Sequence, residues 1–106
     1  YAIWVRNLIG VIKDMKFVII GYDGPEGEAR RKVHRSAHLG NLESLDRQGR
    51  VVLAGPLTDR SGSLLVLEFE TQEEAEDFAR HDPYTVHGVF DRIEIHPFMQ
   101  VLPKPR

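Results

Sequence analysis

The spacing of hydrophobic and polar residues divides the chain into strand-like and helix-like stretches. Residues 16–22 form a nearly continuous apolar run rich in β-branched side chains, which is typical of a central strand buried on both faces. Turn-forming residues 23–27 end this run. Residues 28–48 carry apolar side chains at helical spacing, and Gly49 suits the position just after a helix. The first two predicted elements are therefore a buried strand and a long helix.

Two further strands are predicted in the middle of the chain. Residues 51–54 and 63–70 are apolar runs, and the turn formers between them predict a hairpin loop over residues 57–62. Gly55 and Pro56 are expected to stop the first of these strands. An antiparallel hairpin follows from this pattern.

The last helix and the last strand have clear boundaries. Thr71 and Glu74 have the spacing of a capping box, in which each side chain satisfies the backbone N–H of the other residue. The second helix therefore begins there, and Pro83 ends it. Residues 90–96 alternate between apolar and polar side chains, as a half-exposed strand does.

The resulting order, β-α-β-β-α-β, predicts an α+β ferredoxin-like fold. In this arrangement a four-stranded antiparallel sheet carries both helices on one face. The first and third strands are apolar on both faces, so the uncovered face of the sheet needs a partner. We expect a homodimer in which two copies pack sheet against sheet.

Length, cysteine content and charge exclude several classes of protein. A chain of 106 residues is one domain and buries about two-thirds of its unfolded surface without needing a metal or a disulfide. The absence of cysteine excludes thiol catalysis and Cys-based zinc sites, and it agrees with a cytoplasmic location. The net charge is −2 with mixed signs, so no nucleic-acid partner is expected, and the basic run at residues 30–32 is interpreted as a solvated helix face.

The first 14 residues are apolar enough to suggest a signal peptide or a membrane anchor. Arg6 interrupts the apolar run, no small-residue cleavage site follows, and the run is too short to span a bilayer. Met15 then opens the first strand, as a start codon would. We interpret residues 1–14 as an upstream extension, introduced by cloning or by a misplaced start, and expect no membrane partner.

One histidine lies inside the apolar stripe of the first predicted helix. At about 100° of rotation per residue, Leu39, Leu42 and Leu45 share a face, and His38 lies between the directions of the last two. A buried imidazole needs hydrogen-bond partners. The best candidate is Asp82, which the following proline places at the end of the second helix. The sequence therefore predicts a His38–Asp82 dyad suited to proton transfer.

A histidine on an apolar face has less specific interpretations as well. It is often a core residue bonded to backbone, and Asp82 in isolation is a common turn residue before proline. His34 and His38 are spaced like two metal ligands, but no glutamate completes the zinc-protease pattern. No phosphate-binding or dinucleotide motif is present in the sequence. We therefore predict neither a metal nor a cofactor.

A set of short motifs resembles the YciI-like (YCII-related) family, which consists of small bacterial proteins of dimeric α/β-barrel fold. The similarity runs from Met15 to Leu102, which makes residues 15–102 the domain and residues 103–106 a C-terminal tail. The motifs are Arg35-Ser36-Ala37-His38-Leu39, residues 49–56, Gly62-Ser63, Asp82-Pro83-Tyr84, Gly88-Val89-Phe90 and Pro97-Phe98.

The resemblance implies an active site built on the histidine of R-x-x-H-L and the aspartate of D-P-Y, here His38 and Asp82. It also implies that Ser63 and the turn at Gly55 and Pro56 line the same pocket. Two further residues are substrate-binding candidates because they belong to the same motifs, Arg35 and Tyr84. Tyr84 is either a pocket wall or simply part of the packing.

Three functions are consistent with these residues. The first is a cofactor-independent enzyme of lyase, dehalogenase or isomerase type, in which Asp82 orients His38 and His38 moves protons on a small, often aromatic, molecule. The second is a module that binds or senses a metabolite in the same pocket. The third is a dimerisation domain whose dyad is only a satisfied buried pair.

Overall fold

The computed structural model describes residues 15–105, so the predicted extension over residues 1–14 lies outside the described residues. Within residues 15–105 the chain forms four strands and three helices. They are β1 (Met15–Asp23), α1 (Gly27–Arg47), β2 (Val51–Pro56), β3 (Gly62–Phe69), α2 (Gln72–His81), α3 (Pro83–Val86) and β4 (Phe90–Phe98).

The strands form one antiparallel sheet in the order β2-β3-β1-β4. The apolar run of β1 lies at the centre, where Ile19 is opposite Leu65 on β3 and Ile95 on β4. The two edge strands are β2 and β4. The predicted α+β ferredoxin-like fold, which is the subunit fold of dimeric α/β barrels, is thus confirmed.

The hydrophobic core lies between one face of the sheet and the two long helices. Alternate residues of the central strands supply its sheet side, and small or aliphatic residues of α1 and α2 cover them. The buried members are Phe17, Ile19, Leu65, Leu67 and Phe69 from the sheet and Leu42, Leu45, Ala75 and Ala79 from the helices.

None of the helices between residues 15 and 105 combines the length and apolar composition needed to cross a bilayer.

The opposite face of the sheet carries no helix among residues 15–105. The alternate positions Val18 and Ile20 of β1 lie beside Val66 and Leu64 of β3 on this face. Leu53 of the edge strand β2, which is opposite Val66, is 52% exposed. We call the patch formed by these five residues the open sheet face.

Three local predictions were wrong in detail. Gly55 and Pro56 do not stop β2, which continues through Pro56; on an edge strand a proline removes no hydrogen bond that the sheet needs. Leu39 is 40% exposed, because α1 meets the core along His38, Leu42 and Leu45 and position 39 is rotated by about 100° from this stripe.

The third difference concerns the start of α2. Thr71 accepts a hydrogen bond from the Glu74 backbone N–H (3.1 Å), as predicted. The Glu74 carboxylate, however, accepts from the N–H of Glu70 at 2.9 Å and not from that of Thr71. Thr71 has an extended backbone, which keeps the end of the preceding strand within reach of this carboxylate. The capping box therefore closes one residue earlier than predicted.

Candidate active site

His38 and Asp82 form a buried pair between α1 and the junction of α2 with α3. The Nδ1 atom of His38 lies 2.8 Å from Oδ1 and 3.0 Å from Oδ2 of Asp82. His38 is 5% exposed and Asp82 is 1% exposed. Pro83 holds Asp82 outside helical geometry, at φ −59° and ψ 133°. The structure thus brings together the two residues that the sequence paired across 44 positions.

The hydrogen bonds of Asp82 determine which nitrogen of His38 carries the proton. Oδ1 of Asp82 also accepts from the backbone N–H of Tyr84 at 2.8 Å, which caps α3. A carboxylate only accepts hydrogen bonds, so Nδ1 of His38 must donate to it. The lone pair then lies on Nε2, and this atom forms no hydrogen bond with any residue between 15 and 105. Nε2 is therefore the atom of His38 that is able to take up a proton.

Tyr84 packs against one face of the His38 imidazole. Its ring stacks on that of His38 with centroids 3.8 Å apart and planes 6° from parallel, and Phe90 meets it edge-on at 5.6 Å. Burial raises the pKa of the Tyr84 hydroxyl, although nearby Arg31 and Arg35 act in the opposite direction. Tyr84 is thus both a packing residue and a wall of the cleft described below, so the two interpretations of this residue are not exclusive.

Arg31 belongs to the same site but was not among the predicted site residues. Its Nε and Nη2 atoms donate to the two carboxylate oxygens of Asp23 at 2.7 and 2.8 Å. Nη2 also donates to Oγ of Ser63 at 2.9 Å, and the guanidinium lies 5.0 Å from the ring centroid of Tyr84. The bond to Asp23 raises the pKa of Arg31. Only the helical spacing of residues 31, 35, 38 and 42 could have indicated it, because its partners lie on β1, β3 and α3, which are distant in the sequence.

The predicted site residues other than Asp82 line one cleft of about 660 Å³ between α1 and the β2–β3 half of the sheet. Its residues are Glu28, Arg31, Lys32, Arg35, His38, Leu39, Leu42, Glu43, Asp46, Val51, Ala54, Gly55, Pro56, Ser63 and Tyr84. All the substrate-binding candidates are in this set. Asp82 is not in it, and it contacts the cleft only through His38 and Tyr84.

The remaining histidines do not extend the site. His34 stacks on His87 at 3.8 Å with planes 3° from parallel, so it pairs with α3 and not with His38. Neither residue lines the cleft. Among residues 15–105 no group of three or more His, Asp or Glu side chains is arranged to hold a metal. The chemistry available in the cleft is therefore that of an oriented imidazole beside arginine and serine donors.

The chain is similar to proteins of one family along most of its length. Residues 15–99 match the YCII-related domain. Protein YciI of Escherichia coli O6:H1 is 33% identical, over 82% of this chain and 99% of that protein. Fusaric acid biosynthesis protein 2 of Gibberella moniliformis is 27% identical, over 78% of this chain and 91% of that protein.

A solved structure has the same fold. The 5-chloro-2-hydroxyhydroquinone dehydrochlorinase TftG of Burkholderia phenoliruptrix AC1100, in complex with 2,5-dihydroxybenzoquinone, superposes with a TM-score of 0.72. It is 29% identical, and the match covers 80% of this chain and 94% of that chain. With the match over residues 15–99, these similarities establish that the chain belongs to the YCII-related family.

Proposed function

We propose that the protein is an enzyme that moves protons on a small ring compound without a cofactor, using His38 as the acid–base group. The observation that carries this proposal is the free Nε2 of His38 in a cleft wall, with the other nitrogen bonded to buried Asp82. A core histidine bonded only for stability has no need of a cleft beside its second nitrogen. A proton transfer by such a group is part of the proposed lyase, dehalogenase and isomerase reactions.

In the proposed reaction Asp82 holds the tautomer and the direction of His38. Nε2 takes a proton from an activated carbon or hydroxyl of the substrate, and the bonding electrons pass into the ring system. The imidazolium that forms is stabilised by the carboxylate of Asp82. In an elimination the electrons expel the leaving group as its anion, and His38 gives its extra proton to that group or to water. In an isomerisation His38 returns the proton to another ring atom. Every atom transferred in these steps belongs to the substrate or to His38.

The family members with informative names support a ring compound as substrate. TftG is named for dehydrochlorination of a chlorinated hydroxyhydroquinone and was solved with a benzoquinone. Another relative is named for biosynthesis of fusaric acid. A cleft of about 660 Å³ is within the range of small-molecule sites, so it is large enough for a single ring with substituents.

The same proposal includes a cytoplasmic homodimer that forms through the open sheet face. Val18 and Ile20 lie on this face beside the apolar residues of β3. An apolar sheet face that is exposed in the single chain is removed from water when a second copy packs on it. Absence of cysteine is compatible with the cytoplasm.

The test is turnover of halogenated and hydroxylated hydroquinones, followed by ring absorbance and by released halide. We expect wild-type protein to act on one chemical class and His38→Ala to lose about 10²-fold to 10⁴-fold in rate, because an acid–base group supplies acceleration of this size. The control is His81→Ala, since His81 is exposed and, among residues 15–105, bonds only to the backbone oxygen of Asp77 in its own helix.

Two other results would identify the alternative functions. Tight binding of a ring compound by wild type with no turnover would favour a module that binds or senses a metabolite. If no compound binds and His38→Ala is only less stable, the dyad is a structural pair in a dimerisation domain. Equal turnover by wild type and His38→Ala would contradict the proposed role of His38.

A further inference from the structure

Charged side chains are unevenly distributed along the cleft. The cations Arg31, Lys32 and Arg35 line the end that belongs to the first half of α1, and Glu43 and Asp46 line the other end. Residues 35 and 43 are two turns apart on α1, which separates the two ends by about 12 Å. His38 lies between them, one turn from Arg35. The two ends of the cleft therefore favour opposite charges.

The positive charge at this end is only partly neutralised by the protein. Asp23 engages Arg31 through both of its carboxylate oxygens, with side chains that are only 9% and 19% exposed. Arg35, in contrast, forms no ion pair with any carboxylate among residues 15–105. Glu28 also lines this end, but its carboxylate pairs with Arg60 at 3.3 Å. Arg35 is thus an exposed cation at the cleft wall, and it has no carboxylate partner within the described chain.

Ser63 adds a hydrogen-bond donor that the protein does not use. It is 3% exposed, and its Oγ accepts from Nη2 of Arg31 at 2.9 Å. Arginine only donates, so Ser63 uses a lone pair of Oγ in this bond and its hydroxyl proton remains able to donate. No acceptor for that proton is found among residues 15–105. Leaving a buried donor unpaired is unfavourable. A ligand oxygen in the cleft would satisfy this proton.

Beyond His38 the cleft becomes apolar. Leu42 from α1 and Val51 and Ala54 from β2 line this part of the cleft. This section suits the carbon skeleton of a ring, while the acidic residues at its far end disfavour a second anionic group. A ligand that fits both the basic end and the apolar section of the cleft has one charged oxygen and an apolar ring.

From these contacts we infer that the site selects ring compounds carrying an ionised oxygen, a carboxylate or a ring oxyanion, bound by Arg35 and Ser63 with the ring beside His38. This inference rests on the proposed function and names its substrate class. Arg35 supplies the opposing charge and Ser63 supplies the neutral donor. Arg31, which Asp23 holds in place, is a positioning residue that orients the Ser63 hydroxyl.

The placement also has a consequence for the reaction. His38 would act on a ring atom close to the anionic oxygen, because Arg35 precedes it by a single turn of α1. When a proton leaves that atom, negative charge increases on the conjugated oxygen. Donors already directed at that oxygen stabilise the charge as it develops. Substrate recognition and stabilisation of the developing charge would then use the same two residues.

The experiment is a calorimetric titration with two matched pairs of probes. Benzoate is compared with benzamide, and ionised 4-nitrophenol with 4-nitroanisole, so that carboxylates and ring oxyanions are tested separately. We expect wild-type protein to bind at least one anion about tenfold or more tightly than its neutral partner, since charge-assisted hydrogen bonds have this effect. Arg35→Gln and Ser63→Ala should each reduce that ratio.

The control variant is Arg47→Gln, which removes the same charge from the exposed last turn of the same helix. Its anion-to-neutral ratio should equal that of wild type, because distant surface charges are screened by salt. An equal loss in Arg47→Gln and Arg35→Gln would overturn the inference, as would neutral probes that bind as well as the anions, or no binding of any probe.

One more variant separates this inference from the proposed function. His38→Gln should keep the anion-to-neutral ratio of wild type while it lacks turnover. If this ratio persists but wild type turns over no compound, the anion site is supported and the acid–base function fails. If His38-dependent turnover occurs on neutral rings and is unaffected by Arg35→Gln, the function stands and the anion site is overturned.

Discussion

Asp82 has two partners for a single carboxylate. It binds Nδ1 of His38 and caps α3 through the backbone N–H of Tyr84, and both contacts of 2.8 Å use Oδ1. Since the residue is 1% exposed, water cannot replace either contact. Asp82 therefore connects the orientation of the imidazole to the position of the α3 residue that stacks on it.

We expect Asp82→Ala to lower the free energy of unfolding by about 2–4 kcal/mol, because it leaves a buried N–H of His38 unpaired and removes the cap of α3. Asp82→Asn keeps an oxygen for both donors and should cost clearly less. Chemical denaturation of the two variants provides the measurement. Equal losses would mean that the contacts of Oδ1 do not carry the stability.

Gly88 is the second residue on which the site depends. Its φ is +75°, and a Cβ at this position would meet Nη1 of Arg30. That guanidinium donates to the carbonyl of Gly88 at 3.3 Å. Side chains other than hydrogen are unfavourable at positive φ, so glycine is favoured at this position, where α1 meets the end of α3.

Gly88→Ala should therefore lower the free energy of unfolding by about 1–3 kcal/mol. The matched control is Gly40→Ala in the exposed interior of α1, where a Cβ would meet nothing within 4 Å. This control should raise stability by up to about 1 kcal/mol through helix propensity. Thermal unfolding of both variants tests the pair, and a neutral Gly88→Ala would show that neither φ nor Arg30 constrains the turn.

At the scale of elements, α1 organises the site through two stripes of side chains. One stripe consists of Arg30, His34 and His38, which are one turn apart. Arg30 contacts Gly88, His34 contacts His87 and His38 contacts Tyr84, and these contacts hold α3 against α1. The other stripe, residues 31, 35, 38 and 42, lines the cleft. His38 belongs to both stripes, so its position depends on the packing of α3 as well as on α1.

The stack of His34, from the first stripe, on His87 should make stability depend on pH. Partial burial lowers the pKa of His34, and the proximity of His87 and Arg30 lowers it further. Protons then bind the unfolded chain more readily than the folded one. This contribution to stability is complete above the unfolded pKa of about 6.5 and is lost as the pH falls through the lower, folded pKa.

We expect His34→Gln to flatten the loss of stability between about pH 7 and pH 5 relative to wild type. His81→Gln, at an exposed histidine bonded to the carbonyl of Asp77, should follow the wild-type curve. Midpoints of chemical denaturation across the pH series provide the comparison. Parallel curves for wild type and His34→Gln would exclude the stack as a source of the acid sensitivity.

At the scale of the whole molecule the sheet has two unlike faces. One face carries the core and both long helices, and the cleft lies on this side, between α1 and β2. The open sheet face has no such cover within residues 15–105. The proposed dimer would therefore bury the open face while leaving the cleft on the outer side of each subunit accessible.

We expect Val18→Glu to convert a dimer into a monomer, because it places an unpaired charge in an apolar interface. Val33→Glu introduces the same side chain on α1, where Val33 is 74% exposed, and should leave the dimer intact. Sedimentation velocity distinguishes the two states. A wild-type monomer, or dissociation by both variants, would contradict the proposed sheet-to-sheet dimer.

Local signals in the sequence predicted most of the fold. The apolar run of β1, the cap at Thr71 and the stop at Pro83 act within a few residues, and each appears at the predicted place. Gly49 likewise follows α1 with φ +76°. Such signals are readable because propensity, capping and turn chemistry depend on neighbouring residues. The short helix α3 was missed because four residues carry no periodic pattern of their own.

The order of the elements and the stripe that carries His38 follow from the sequence alone. So does the pairing of His38 with Asp82, which the burial of an imidazole and the proline after Asp82 predict and which the family motifs also imply. The surroundings of that pair depend on contacts between distant parts of the chain. Arg31 reaches Asp23 and Ser63 because β1 and β3 are neighbours in the sheet, and these strands are far apart in the chain. Periodicity places a side chain on a face, but the partner that it meets there depends on how distant strands and helices pack together.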